Sequence, residues 1–373
     1  MPTVFLNGRF CGADGAMVSA FDAGFQHGVG LFETMLASVS GGEARVPFLG
    51  DHLDRLVESA RALGLSETLR RDPLGDAVVE TAERAAREIN TGNGNGGGGE
   101  TRLRVRLTIT GGDLNMLSRA RNSAGAAAGA ASDAGAEREA NTNVDGTGGA
   151  RGAGDSRVAG GAPGGVGGGG SSGGGVEHNP TLLIHAQRAT EYPEAMFERG
   201  VLVTLAEMRV NPFNPLEGHK TLSYWARLRE LQAAAAKRAG EALVFTITNH
   251  LAGGCVSNAM IVKDGVIHTP IARGEEEQEA TRSGGTGVPI PSPVLPGVTR
   301  RIVTRLAGEV GIEVRRRMIT IHEILSADEV FLTNSSWGVL PVTRVESQSI
   351  GSGEVGEVTR RIRGEWLREW GGR

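Results

Sequence analysis

Lys220 is the residue whose setting first raises a question of chemistry. It lies in EGHKTLSYWARLRE, residues 217–230, after the turn-rich NPFNPLEGH. A helical pattern follows, with Leu222, Trp225, Leu228 and Leu231 as its core-facing set. An isolated lysine is most often a solvated charge. At a strand-to-helix junction, however, it can point into a cleft, where desolvation or a nearby cation lowers its pKa and frees the amine for imine formation. A second candidate is VLPGVTRR. Pro-Gly ahead of a helical run leaves the amides of Val298 and Thr299 unpaired at a helix N-terminus, where donors and dipole favour a phosphate dianion. An ordinary helix start has the same pattern. The hydroxyls of Ser335 and Ser336 in TNSSWG could add to an anion site or simply shape a polar turn.

The elements that would hold these residues are legible as two groups. From TVFLNGRF to RLRVRLTITGG the pattern is strand, turn, strand, helix, helix, strand, with Asn7-Gly8 as a hairpin signal. DHLDRLVESARALGL places Leu53, Leu56, Val57, Ala60 and Leu63 at helical spacing, with Asp51 suited to the N-cap and Gly64 to the stop. A second amphipathic helix is expected over 74–89, and Leu103, Val105, Leu107 and Ile109 alternate as a strand. Beyond the insertion, TLLIHAQRA, GVLVTLAEMRV, EALVFTIT, AMIVKDGVIHT and DEVFLTNSS read as strands, and 221–239, 298–311 and 359–369 as helices. The expected organisation is α+β: a small domain over 1–112, a disordered Gly/Ala/Ser-rich insertion over 113–178, and a larger domain over 179–373. The acidic stretch within 273–293 is expected to be a solvated polar loop.

Composition removes other classes. The formal charge of -4 comes from interspersed signs, with no basic stripe for nucleic acid, and no apolar run approaches a membrane span. Cys11 and Cys255 are too few for a disulfide framework and lack metal-ligand spacing. With no signal-peptide layout at the start, the expectation is a cytoplasmic protein.

Seven stretches together resemble the class IV aminotransferases, the fold-type IV pyridoxal-phosphate enzymes that include branched-chain and D-amino acid aminotransferases and aminodeoxychorismate lyases. They are FLNGRF, DAGFQHGVGLFETM, FLGDHLDRLVESARALGL, HKTLSYWARL, VSNAMIVKDGVIHTP, VLPGVTR and ADEVFLTNSSWGVLPV, in the family's order across nearly the whole chain outside the insertions. The resemblance implies a small domain covering a larger one with a barrel-like sheet, pyridoxal 5'-phosphate at their junction, and a homodimer whose partner closes the pocket. It gives Lys220 the aldimine and the proton shuttle, and Arg55 the cofactor phosphate together with Val298, Thr299, Ser335 and Ser336. Tyr224, expected one turn up the same helix as Lys220, corresponds to a tyrosine near the cofactor's phenolic oxygen, or is a packing residue. Phe25, His27, Phe32 and Glu33 fall in the segment that lines the substrate pocket in relatives, with His27 where many carry an aromatic residue.

One position departs from the pattern. Relatives place a glutamate on the pyridine nitrogen ahead of SN, whereas this chain reads GGCVSN with Gly253 there. Without that carboxylate the protonated ring loses stabilisation and the electron sink weakens. His250, three residues earlier, is a poor substitute when neutral. Three readings follow: an aminotransferase exchanging amino acids and 2-oxo acids, with a branched-chain-like substrate as one option; a lyase on the same cofactor; and a non-catalytic relative.

Overall fold

The computed structural model describes residues 2–92, 99–113, 180–282, 284 and 288–371. Residues 1–113 and 178–373 fall in one compact unit, and the expectation of disorder after Asp113 lies outside the described residues.

The first sheet has six strands in the order β2-β1-β6-β5-β3-β4. They are β1 (Thr3–Leu6), β2 (Arg9–Gly12), β3 (Gly30–Ser40), β4 (Glu43–Arg45), β5 (Thr101–Thr110) and β6 (Leu182–Arg188). Asn7 and Gly8 both have positive φ, 48° and 86°, as a two-residue hairpin turn requires. Three helices accompany this sheet: α1 (Ala23–His27), α2 (Leu49–Ala62) and α3 (Arg71–Gly92). The alternation in β5 buries Leu103, Val105, Leu107 and Ile109 against α2 and α3, which turns Arg104 and Arg106 to the opposite face. β3 divides the same way: Leu31, Glu33, Met35 and Ala37 face the helices, while Phe32 and Thr34 face away.

The second sheet has nine strands: β7 (Val201–Val210), β8 (Glu241–Thr246), β9 (Leu251–Gly254), β10 (Asn258–Lys263), β11 (Val266–Thr269), β12 (Val314–Arg316), β13 (Glu329–Asn334), β14 (Gly338–Val345) and β15 (Gln348–Ser349). Its order is β12-β11-β10-β13-β14-β7-β8-β9, with β15 beside β14. β9 closes one end yet runs into β10, deep in the sheet, through a turn in which Gly254 N–H donates to Ser257 O at 2.8 Å. That connection forces the sheet to curl, the barrel-like form the resemblance implies. Its helices are α4 (Ala195–Glu198), α5 (Trp225–Ala236), α6 (Glu276–Arg282), α7 (Val298–Glu309), α8 (Ile321–Leu325) and α9 (Glu357–Trp370).

Four expectations need correction. β6, read as part of the larger half, pairs with β1 and β5, so the first sheet is completed by a strand from beyond the insertion. Periodicity reports that a strand exists but not which sheet it joins. The stretch 273–293 is not simply a loop: α6 lies within it, Glu279 is buried, and Glu275 and Glu279 pair with Arg300 and Arg316. Asp51 lies in the first turn of α2, whose N-cap is Phe48. α5 starts only at Trp225, and Trp225 and Leu228 are exposed, because residues 220–222 are drawn into a bridge with β3 before any helix can form. Gly64, with φ of 64°, does end α2 in the left-handed conformation expected of it.

α9 is capped from a distance. Gly356 offers no side chain, and Glu329 of β13 accepts from Val358 N (3.0 Å), Thr359 N (2.8 Å) and Thr359 Oγ1 (2.6 Å). A Cβ at Gly356 would collide with the Glu329 carboxyl group, so the glycine admits the carboxylate. Glu329→Ala should cost about 1–2 kcal/mol in urea unfolding, the cost of a lost cap, with the transition otherwise cooperative.

Candidate active site

The loop before Lys220 is built by short-range polar bonds. Asn211 Oδ1 and Asn214 Oδ1 accept from Phe213 N (3.0 Å) and Leu216 N (3.1 Å), two Asx turns in succession. Arg273 donates to Glu217 O (3.0 Å) and Pro215 O (3.2 Å), and a Cβ at Gly218, whose φ is 79°, would strike that guanidinium at 2.9 Å. His219 Nδ1 lies 2.9 Å from Ser59 Oγ; burial and the charge of Arg273 push its pKa down to about 4, so it is neutral. The chain then pairs with β3 through Phe32 N to Lys220 O and Leu222 N to Gly30 O, both 2.9 Å. This register puts Lys220 on the same face as Phe32, with Nζ 4.5 Å from the Phe32 ring centroid and 5.7 Å from that of Tyr224. Tyr224 is the N-cap of α5, not a residue one helical turn above Lys220, and it reaches the site by packing edge-on against Phe32.

Lys220 opens into a cavity of about 480 Å³ that also takes in Arg55, Tyr224, Phe32, Val298, Thr299, Ser335 and Ser336. Residues from distant parts of the chain, Phe32 to Ser336, thus share one space. Phe25 and His27 are not in it: both are exposed on α1, Phe25 at 79 %, because the left-handed Gly28 that ends α1 separates them from β3. Gly253 itself does not line the cavity, though Ala252 and Gly254 do.

Arg55 is fixed by Glu33, whose carboxylate accepts from Nε (2.8 Å) and Nη2 (2.6 Å), while Nη1 donates to Pro296 O (3.1 Å). Three of its five N–H groups are thereby used, leaving two for an anion. Burial works against the charge on Glu33, but Arg55 and His52 outweigh it and hold the carboxyl at about 2. Burial also lowers the pKa of His52, leaving a neutral ring that donates from Nδ1 to Glu33 (2.8 Å) and can accept from Ser335 Oγ at Nε2 (3.3 Å). At the head of α7, Gly297 supplies no capping side chain, and a Cβ there would collide with Asn258 Oδ1. Backbone amides, a fixed guanidinium and a serine turn converge here as an anion cradle.

The far wall is different. Gly253 has φ of 135° and a Cβ there would meet Ser257 O at 2.9 Å, so the backbone is shaped against a side chain at the position where the resemblance implies glutamate. A carboxylate is nonetheless buried behind this wall. Glu241 packs in the space a Cβ at Gly254 would need, with Oε1 accepting from Cys255 N (2.6 Å) and Oε2 buried without a partner among the described residues. Burial raises its pKa to about 7.

Position in sequence gave no hint of Arg104 and Arg106, which enter from the outer face of β5. Arg106 stacks 3.8 Å from the Phe32 ring centroid, bonds only Thr108 Oγ1 among the described residues, and has its pKa lowered by burial and then by Arg104. The strict alternation of RLRVRLT was the signal that could have found them.

Glu33→Gln should remove the anion from a buried guanidinium and destabilise the protein by about 3–5 kcal/mol in urea unfolding. A carboxyl with a native pKa near 2 binds protons less readily folded than unfolded. Its stabilisation is full above the ordinary carboxylate range and lost as pH falls toward 2, so the variant should lack that part of the acid transition.

Comparison with known proteins agrees with this arrangement. The family model for amino-transferase class IV matches residues 30–143 and 165–345. A putative branched-chain-amino-acid aminotransferase of Methanocaldococcus jannaschii is 26% identical over 364 residues, covering 96% of this chain and 93% of that protein. A branched-chain-amino-acid aminotransferase of Salmonella typhimurium is 32% identical over 151 residues, 38% of this chain and 43% of its own length. Among solved structures, a T.th. branched-chain amino acid aminotransferase with pyridoxamine 5'-phosphate superposes with a TM-score of 0.67 at 21% identity, covering 100% of this chain and 95% of that one. The 4-amino-4-deoxychorismate lyase of Pseudomonas aeruginosa gives 0.62 at 21%, covering 98% of each, and at these identities both establish the fold alone. With its family model spanning most of the sequence and its cavity built by the same motifs, the chain belongs to the class IV aminotransferases.

Proposed function

We propose that this chain is a pyridoxal-phosphate-dependent aminotransferase exchanging the amino group of an amino acid with a 2-oxo acid. The observation that carries this reading is the single cavity that unites the Lys220 amine with an anion cradle made by Arg55, the head of α7 and Ser335. The cradle would hold the cofactor phosphate. When bound, pyridoxal phosphate supplies the carbonyl and the electron sink that make the substrate's α-hydrogen acidic.

The chain's own groups then have defined tasks. Lys220 Nζ, set beside the Phe32 and Tyr224 rings, would be the base that accepts and gives back the substrate's α-proton. Neutral His219 holds the loop without adding a cation next to that amine. Arg106, lacking a carboxylate partner among the described residues, would receive a substrate carboxylate, and Leu222 and Leu228 offer apolar contact for a branched side chain. The exposed Phe21, Phe25, Phe213 and Trp225 support a homodimer in which a second copy covers these faces.

Lys220→Ala should abolish the near-visible absorbance of the cofactor-loaded protein and slow transamination by about 10²–10⁴-fold, followed by single-turnover absorbance. Conversion to the pyridoxamine form with a panel of L- and D-amino acids checks the reaction itself. Pyruvate release without that conversion would replace this reading with the lyase one, and no cofactor absorbance in wild type would sink both. Arg106→Met should raise KM for the amino acid about ten-fold, with the absorbance of bound cofactor unchanged.

A further inference from the structure

A second cavity, of about 460 Å³, lies between the outer edge of the first sheet, the segment 188–192 and α9, and shares Tyr192, Ser336 and Trp337 with the first. Its walls are rich in donors. Trp337 and Trp366 line it with flat ring surfaces at 9 % and 5 % exposure. Arg363 also lines the space. Its Nη1 donates to Trp337 O (3.4 Å) and Val339 O (3.0 Å), its guanidinium lies 3.6 Å from the Phe197 ring centroid, and no carboxylate pairs with it among the described residues. Burial accordingly pulls its pKa below the ordinary value. Arg102 stacks 4.9 Å from the Trp370 ring centroid, with its acidic neighbour Glu100 no closer than 3.9 Å. Arg188 is unpaired among the described residues, and the acidic residues on the wall, Glu100 and Glu191, are both exposed.

We propose that this second cavity binds a small carboxylate with a flat aromatic body, the carboxylate facing Arg363 and Arg188 and the ring lying among Trp337, Trp366 and Phe197. The volume falls within the roughly 300–1,000 Å³ range of small-molecule sites, far more than a single ordered water fills. Flat aromatic walls favour ring stacking, and guanidinium groups without a carboxylate partner among the described residues select for an anionic acceptor. Because Trp337 and the Ser335-Ser336 turn stand between the two cavities, occupancy of the second restrains the turn that helps form the anion cradle of the first.

Phenylacetate, which has no amino or keto group to exchange, is the probe. Equilibrium dialysis against the cofactor-loaded protein should show saturable binding accompanied by a change in tryptophan fluorescence. Arg363→Met and, separately, Arg188→Met should each weaken it about ten-fold, the loss expected for one hydrogen bond to a charged group, while Arg106→Met in the first cavity leaves it unchanged. Arg188 is exposed, so its replacement reports on the charge even if Arg363→Met does not fold. Three results would each overturn the proposal: no binding at millimolar phenylacetate, binding lost with Arg106→Met and kept with both other variants, or equal binding of uncharged phenylacetamide.

Discussion

Burying a guanidinium is costly without an anion beside it, and the rest of the site depends on how Glu33 meets that requirement for Arg55. The bidentate contact commits the charge of Glu33 to one edge of the fork and leaves the other edge pointing at the cavity. Because Glu33 sits on β3 and Arg55 on α2, the pair also locks the helix to the sheet whose opposite face carries Phe32 and Thr34. His52 extends the cluster to Ser335 and the bond to Pro296 O extends it to the head of α7, so four separate segments are referred to one buried carboxylate. Held at about 2, that carboxyl stays ionised throughout the neutral range, and the cradle does not change charge there.

The period-two geometry of strands does the sorting that makes the cavity polar. In β3 and β5 one face is buried beneath α2 and α3, and the intervening residues, Phe32, Thr34, Arg104 and Arg106, become its wall. The bridge between Leu31 and Thr221 continues that alternation into the lysine loop, setting Lys220 above Phe32 without any helix to aim it. Close approaches elsewhere depend on glycine: Gly297 against Asn258, Gly254 against Glu241 and Gly356 against Glu329 each make room for a polar group where a Cβ would collide.

At Gly253, where the resemblance implies a glutamate, the backbone suits glycine: its φ of 135° strains other residues. Glu241, on the adjacent strand, keeps one oxygen on the Cys255 amide and leaves the other without a partner among the described residues. Burial raises that carboxyl to about 7, so it differs from a permanently ionised one.

Local elements, and the residues that share the cavity with Lys220, left signals in the chain before any fold was known. Alternation marked β5, helical spacing marked α2, Asn7-Gly8 marked a hairpin, and the motif series pointed to Lys220, Arg55 and the LPGVT turn, because each of these signals is carried by neighbours in the chain. Whatever rests on contacts between distant segments was not legible. The membership of β6 in the first sheet rests on pairing with strands more than 70 residues away. The late start of α5 reflects a bridge to β3, and the ion pairs that turned an acidic stretch into α6 come from Arg300 and Arg316. Glu33 read as a pocket residue from its segment, yet the pleat sent it to the opposite face; Arg104 and Arg106 drew no reading from the sequence, and only the packed sheet shows them facing a cavity. Side-chain direction and charge pairing depend on what packs opposite, and that is settled when the sheets and helices come together.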